Sequence, residues 1–276
     1  MKNIHKFLLA LATFSLIFLV LTPYFTEDFI DLQQKKENEE TEKRLLKEEA
    51  ARKITEKKNY LMGKFDQTQR EDFVLVPAEY SLAPNKIYLR KETYAAYLEM
   101  RNAAKKNYID LQLASATRNF DYQKDIWNKK WNGITLVDGK KLPESIPDGR
   151  ERFEKILEYS AVPGTSRHHW GTDIDINNAV PEYFEEGKGK IEYEWLKENA
   201  PLFGFCQTYN EKGTDRFAGY NEEKWHWSYL PLARGFTEEY KNLISDQDIK
   251  GFLGDEYVAS ENIIKNYVLS INPDCL

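Results

Sequence analysis

Histidine is scarce in this chain, with four among 276 residues, and cysteine is scarcer still, with two. Two cysteines allow at most one disulfide, and a metal site would have to be built from very few imidazoles. Positive charge is not in excess either: 39 Lys and Arg stand against 45 Asp and Glu, for a net charge of −6. With no basic cluster in the motif-bearing region, a nucleic-acid partner is not expected. No internal repeat is evident. Aromatic residues, at 14%, are abundant and fit a folded domain with a groove.

His5 precedes an apolar N-terminal run, which leaves three histidines for the folded part, and these fall in two short segments. The first is Ser166-Arg167-His168-His169-Trp170-Gly171-Thr172-Asp173-Ile174-Asp175, and the second is Glu223-Lys224-Trp225-His226. A hydrolytic zinc site needs neutral imidazoles, an anionic oxygen, an open position for water and a base beside it. His168, Asp175 and His226 are the expected ligands, and His169 is a bystander candidate. Asp173-Ile174-Asp175-Ile176 alternates like a half-buried strand, with both isoleucines towards the core and both aspartates towards the site. Gly171 allows a tight bend between His168 and that strand. In Trp225–Tyr229, His226 and Ser228 share one face. Glu223, three residues before His226, would lie on the opposite face of a straight strand, so a bend or helical turn is required if it is the general base. Spacing alone leaves Glu222 as a competitor.

The pattern Ser166-x-His168-x-x-Gly171-x-x-x-Asp175 with Glu223-x-Trp225-His226 resembles the VanY-type D-alanyl-D-alanine carboxypeptidases, zinc peptidases that share a fold with the hedgehog signalling domain. Ser115-x-x-Arg118 followed by Gln123, and Trp195-Leu196-x-x-Asn199-Ala200-x-x-Phe203-Gly204-Phe205, resemble two further family segments. The likeness runs from about Phe73 to Leu230. It implies zinc held by His168, Asp175 and His226, with Glu223 as catalytic base. It also implies Arg118 on the substrate's terminal carboxylate or on the oxyanion, and Ser166, Gln123 and Ser115 as peptide-binding residues. Asp173 departs from the family pattern, which has a small Ala there. A carboxylate at that position would either orient a ligand imidazole or narrow the pocket.

Lys2, His5 and Lys6 precede the apolar run Phe7 to Phe25, whose roughly 19 residues would span about 28 Å as a helix. Basic residues before it and Glu27-Asp28 after it favour an N-terminus inside and the remainder outside. An uncleaved anchor is expected, with a cleaved signal peptide as the rival, since no A-x-A-like site follows. Residues 26–61 read as a charged, helical spacer and 62–235 as the peptidase domain. Residues 236–276 read as a C-terminal helical extension. The expected fold is α+β, a small, largely antiparallel sheet with flanking helices around the metal cleft. Within it, Phe73–Val76 and Tyr108–Ala114 read as strands and Tyr94–Ala104 as a helix. Asp148 and Glu151 read as a capping box, and Lys129–Pro147 as a long loop near the cleft. Cys206 and Cys275, an even pair in an exported chain, point to a disulfide pinning the tail. Two separate thiols are the alternative.

The function expected is removal of a terminal D-amino acid from peptidoglycan stem peptides in the cell envelope. A cross-link endopeptidase and a non-catalytic, zinc-bearing wall-peptide binder are the alternatives.

Overall fold

In the computed structural model, side chains are described from Asp31 to Leu276. The apolar run expected to anchor the chain lies outside these residues. Among the described residues no helix is long and apolar enough to cross a membrane. The chain divides into two units, residues 1–55 and 56–276. Helix α1 (Lys2–Leu61) makes up the first and enters the second. From Asp31 to Glu56 every side chain is exposed, as the dense Glu, Lys and Arg composition requires.

The second unit is an α+β fold. Strands β1 (Phe73–Leu75) and β2 (Tyr88–Arg90) form an antiparallel pair, followed by α2 (Lys91–Lys105). Tyr97, Met100, Arg101 and Ala104 recur at helical spacing and bury one face of α2. After β3 (Leu113–Ser115) come α3 (Phe120–Trp131), α4 (Leu142–Ser145) and α5 (Gly149–Leu157). Asn119 caps α3 by accepting from Tyr122 N, and Asp148 caps α5 by accepting from Glu151 N. Strand β4 (Asp173–Ile176), helix α6 (Gly187–Asn199), β5 (Phe205–Gln207), β6 (His226–Tyr229), α7 (Leu230–Leu243) and α8 (Val258–Glu261) complete the chain.

The central sheet is antiparallel in the order β3-β4-β6-β5. Its two faces do different work. Ile174, Ile176 and Trp227 point into a core shared with Leu89, Tyr97, Leu113 and Leu196. The opposite face carries Asp173, Asp175, His226 and Ser228, and the β4–β6 register sets Asp175 against His226 and Asp173 against Ser228. A second core gathers Trp127, Phe153, Trp170 and Tyr240, and the C-terminal residues Ile249, Phe252, Val258, Ile263 and Val268 join it. The residues after α7 are therefore packed into the unit, mostly as short turns rather than regular helices.

Two expectations about local structure change. Tyr108 is fully exposed at φ 60°, and β3 begins only at Leu113. Ile109, Leu111 and Leu113 are buried in alternation, but Gln112 N donates to the Asn177 side chain instead of to a strand partner. Alternation there encodes burial, not ladder pairing. Lys129–Pro147 is not one long loop: it comprises the end of α3, a Val137–Lys140 bridge and α4. Of these residues only Lys130 borders the cleft. Cys206 and Cys275 form a disulfide that ties the tail to β5.

Candidate metal centre

The bend after His168 is a short 3-10 turn, Arg167–Trp170, that closes on Gly171 at φ 71°. A side chain at Gly171 would meet the Phe73 ring at 2.5 Å as well as the backbone strain. The turn thus delivers His168 over the polar face of the sheet. Glu223 reaches the same face through a tight turn in which His226 N donates to Glu223 O, at 3.3 Å. This is the bend that a straight strand could not supply.

His168, Asp175 and His226 converge so that one ligand atom of each lies within 4.8 Å of the others, all buried. His168 Nδ1 lies 2.8 Å from Ala116 O, which leaves Nε2 facing Asp175 Oδ1 at 3.3 Å. Both of these facing atoms are buried without a hydrogen-bond partner. His226 turns Nε2 to Asp173 Oδ1 at 3.0 Å and presents Nδ1 to Asp175 Oδ1 at 3.5 Å and Glu223 Oε2 at 3.1 Å. Orphaned atoms on the His168 imidazole and the Asp175 carboxylate, with His226 Nδ1 turned to the same point, fit a cation, and this mixed nitrogen and oxygen set suits zinc.

The electrostatics agree with that fit. Burial raises the Asp175 carboxyl, but His168 and His226 outweigh it and hold the group down at about 2, ready to ligate as an anion. Burial lowers His168, with Arg118 adding to the effect, so that imidazole stays neutral. Burial also disfavours charge on His226, yet its bonds to Asp173 and Glu223 push it up to about 9 in the metal-free cluster. Glu223 is raised, chiefly by burial, in the direction that suits a proton acceptor working near neutral pH.

Asp173 does not narrow the cavity. Its carboxylate is wholly buried and accepts from Arg167 Nε (3.2 Å), Thr172 Oγ1 (2.6 Å) and Ser228 Oγ (2.9 Å) besides facing His226. Arg167 in turn donates to Thr237 and Ser228 and lies over the Trp170 ring. Burial alone would raise Asp173, but Arg167 and His226 drive it far below the usual carboxylate range.

Glu223, Arg118, Gln123 and Ser166 join the three ligand candidates in lining a cavity of about 200 Å³. Arg118 Nη1 is 3.0 Å from Ser115 Oγ and 3.6 Å from Asp175 Oδ2. Ser115 is not among the residues lining this cavity and accepts from Arg118 through its hydroxyl. Gln123 spends its amide N–H on Ala161 O at 2.7 Å and keeps Oε1 buried and unpartnered. Glu222 is turned instead to Tyr193 and Gln207. His169 serves the backbone instead of the metal cluster. Its Nδ1 sits 2.6 Å from Arg118 O while Nε2 accepts from Gly164 N. The two adjacent histidines therefore stitch the Ala116–Arg118 segment to the Arg167–Trp170 turn. His169, a bystander candidate in the sequence, stands apart from the ligand cluster, and Lys130, a further lining residue, carries no motif signal.

The buried convergence of His168, Asp175 and His226 beside the Glu223 carboxylate is a candidate metal site. The family model described as D-alanyl-D-alanine carboxypeptidase, VanY, matches residues 86–232, and the chain belongs to that family. The chain is similar to the putative carboxypeptidase YodJ of Bacillus subtilis (strain 168), 28% identical over 64% of this chain and 59% of that one. It is also 25% identical to a D-alanyl-D-alanine carboxypeptidase of Enterococcus faecium, over 61% of this chain and 46% of the relative. The match thus spans only about half of these relatives. Among solved structures, the LdcB LD-carboxypeptidase aligns with 24% identity and a TM-score of 0.45, covering 72% of this chain and 80% of that one.

Proposed function

We propose that the chain is a zinc-dependent carboxypeptidase that trims a terminal D-amino acid from peptidoglycan stem peptides. The observation that carries the reading is the buried convergence of His168, Asp175 and His226, with Glu223 Oε2 3.1 Å from His226 Nδ1 in the same cavity. Membership of the VanY family and the D-alanyl-D-alanine carboxypeptidase activity of the Enterococcus faecium relative support the substrate class. His168 Nε2, Asp175 and His226 Nδ1 would hold the ion. When bound, it would supply Lewis-acid activation of water and of the scissile carbonyl.

The chain's own residues do the rest. Glu223 takes the proton of the attacking water and returns it to the departing amine. Burial raises its carboxyl above the ordinary range, the direction that helps it hold that proton between the two transfers. Arg118, fixed by Ser115 Oγ and by the His169 bond to its carbonyl, offers a charged donor to the developing oxyanion. The free Gln123 Oε1 is an acceptor for a peptide N–H, and Ser166 lies on the same wall.

Placement in the cell envelope, anchored by the N-terminal run with the peptidase domain outside, belongs to the same proposal. The disulfide and the exposed, charged stretch from Asp31 to Glu56 support it. The test is to incubate the zinc-loaded protein with pentapeptide and tetrapeptide muropeptides and weigh the products. Loss of one alanine from the pentapeptide, blocked by a chelator, is the expected result. Unchanged masses with zinc bound would remove the carboxypeptidase reading.

A further inference from the structure

Besides Arg118 and Arg167, the cavity is lined by a cation, Lys130, that the motifs do not account for. Gln123, Ile126 and Lys130 all line it from α3, at the i, i+3, i+7 spacing of one helical face. Seven residues at 1.5 Å each place Lys130 about 10 Å along the helix from Gln123. Lys130 Nζ contacts Ser160 Oγ at 2.5 Å, and among the described residues it is paired with no carboxylate. Its neighbour Lys129 behaves as an ordinary surface lysine, bonded to Asp125 at 2.6 Å and well exposed. Lys130 instead turns inward. Burial lowers its ammonium below the ordinary lysine range, Arg118 adds to this, and Glu223 opposes it. The Lys130 charge is therefore felt by the groups around the metal cluster.

The three cavity cations are unequally committed: Arg167 is paired with the buried Asp173. Arg118 is bonded to Ser115 and lies 3.6 Å from Asp175 Oδ2, against the metal cluster. Lys130 is bonded only to a neutral hydroxyl, with Glu223 and Asp138 acting on it without direct contact, and a partly desolvated ammonium that lacks a paired anion gains when one arrives. The negative group that every carboxypeptidase substrate carries beside its scissile bond is the terminal carboxylate.

We propose that Lys130 reads the substrate's free terminal carboxylate, leaving Arg118 to the oxyanion, and so makes this site an exopeptidase rather than a cross-link endopeptidase. Lys130 would thus be a specificity-determining residue, and the assignment rests on the carboxypeptidase reading above. Ser160 holds the ammonium in place, and Gln123 Oε1 takes a peptide N–H on the same wall.

The experiment uses the full zinc-loaded chain and two peptides, a pentapeptide ending in D-Ala-D-Ala and the same peptide with a terminal amide. Wild type is expected to favour the acid by roughly 10- to 100-fold in kcat/KM, the scale of one hydrogen bond to a charged group. Lys130→Met should lose that preference mainly through KM, with the amide cleaved as before, and Lys130→Arg should restore part of it. Cleavage of the acid with an undiminished preference in Lys130→Met would overturn the assignment and leave the zinc peptidase standing. Cleavage of neither peptide by wild type would overturn both. Product inhibition of wild type needs no variant to fold: free D-alanine should inhibit more strongly than D-alaninamide, and equal inhibition counts against Lys130.

Discussion

Asp173 Oδ1 lies 3.0 Å from His226 Nε2, on the side of the imidazole turned away from the metal cluster. That contact fixes which nitrogen of His226 faces Asp175 and Glu223. A carboxylate behind a metal-ligating histidine orients the ring and raises its basicity. Here the carboxylate stands where the family pattern has alanine, and Arg167, itself buried, balances its charge. The two residues form one addition to the site: a buried aspartate is tolerable because the arginine pairs with it, and the arginine because of the aspartate.

Asp173→Asn should weaken zinc binding by roughly 10- to 100-fold, since the amide is a poorer acceptor and leaves Arg167 without its counter-charge. Chelator competition measures the affinity, and thermal unfolding of the metal-free protein reports the second effect. Losing one partner of a buried pair costs about 3–5 kcal/mol. Wild-type zinc affinity in the variant would show that the Asp173 contact does not orient His226.

His169 should prove to be a positioning residue for Arg118. His169→Ala removes the partner of Arg118 O and of Gly164 N, each a buried group whose loss costs about 1–3 kcal/mol. Zinc content should persist, because His169 is not among the clustered ligand atoms. Activity should fall, because the backbone carrying the guanidinium loosens. Metal content by mass spectrometry of the intact protein and kcat/KM separate these effects. A variant that loses zinc instead would place His169 at the metal.

The disulfide predicts a graded loss of stability. Cys206 and Cys275 are 69 residues apart, a closure worth about 4 kcal/mol in the chain-entropy estimate. It also holds the tail where Asn272 N donates to Thr208 O and the Asn272 side chain donates to Gln207 O. A Cys206→Ser, Cys275→Ser double variant should unfold at lower denaturant and lose the C-terminal segment first to protease. An unchanged midpoint would mean that the tail is held by its packing alone.

Much of this site is legible because a strand separates its faces by parity. Asp173 and Asp175 against Ile174 and Ile176, and His226 and Ser228 against Trp227, declare which side chains share a face. Gly171 marks the bend that brings His168 over them. What parity does not carry is any relation between distant segments. The turn that swings Glu223 next to His226, the bond from His169 to Arg118, and the inward aim of Lys130 all depend on contacts across the fold. Ser115 lies in a motif yet serves Arg118 instead of the cavity. The Ile109–Leu113 alternation likewise gave burial correctly, but ladder pairing starts only at Leu113, and Gln112 N donates to the Asn177 side chain.

Glu223 and His226 share a contact but should separate cleanly by substitution. Both line the cavity, and the 3.1 Å bond from Glu223 Oε2 to His226 Nδ1 joins a would-be base to a would-be ligand. Removing the ligand imidazole leaves Asp175 and His168 to hold the ion alone, so His226→Ala should lose zinc and all turnover. Removing the carboxylate leaves the three ligands intact, so Glu223→Ala should bind zinc at least as well, since His226 Nδ1 then has no competing partner. Its turnover should nevertheless fall by about 100- to 10,000-fold, the range for a positioned acid–base group. Glu223→Gln keeps the shape without the proton acceptor and should be as slow as the alanine variant. Zinc titration beside hydrolysis of the pentapeptide checks all three variants. A Glu223→Ala protein that turns over normally would assign the proton transfer to another group.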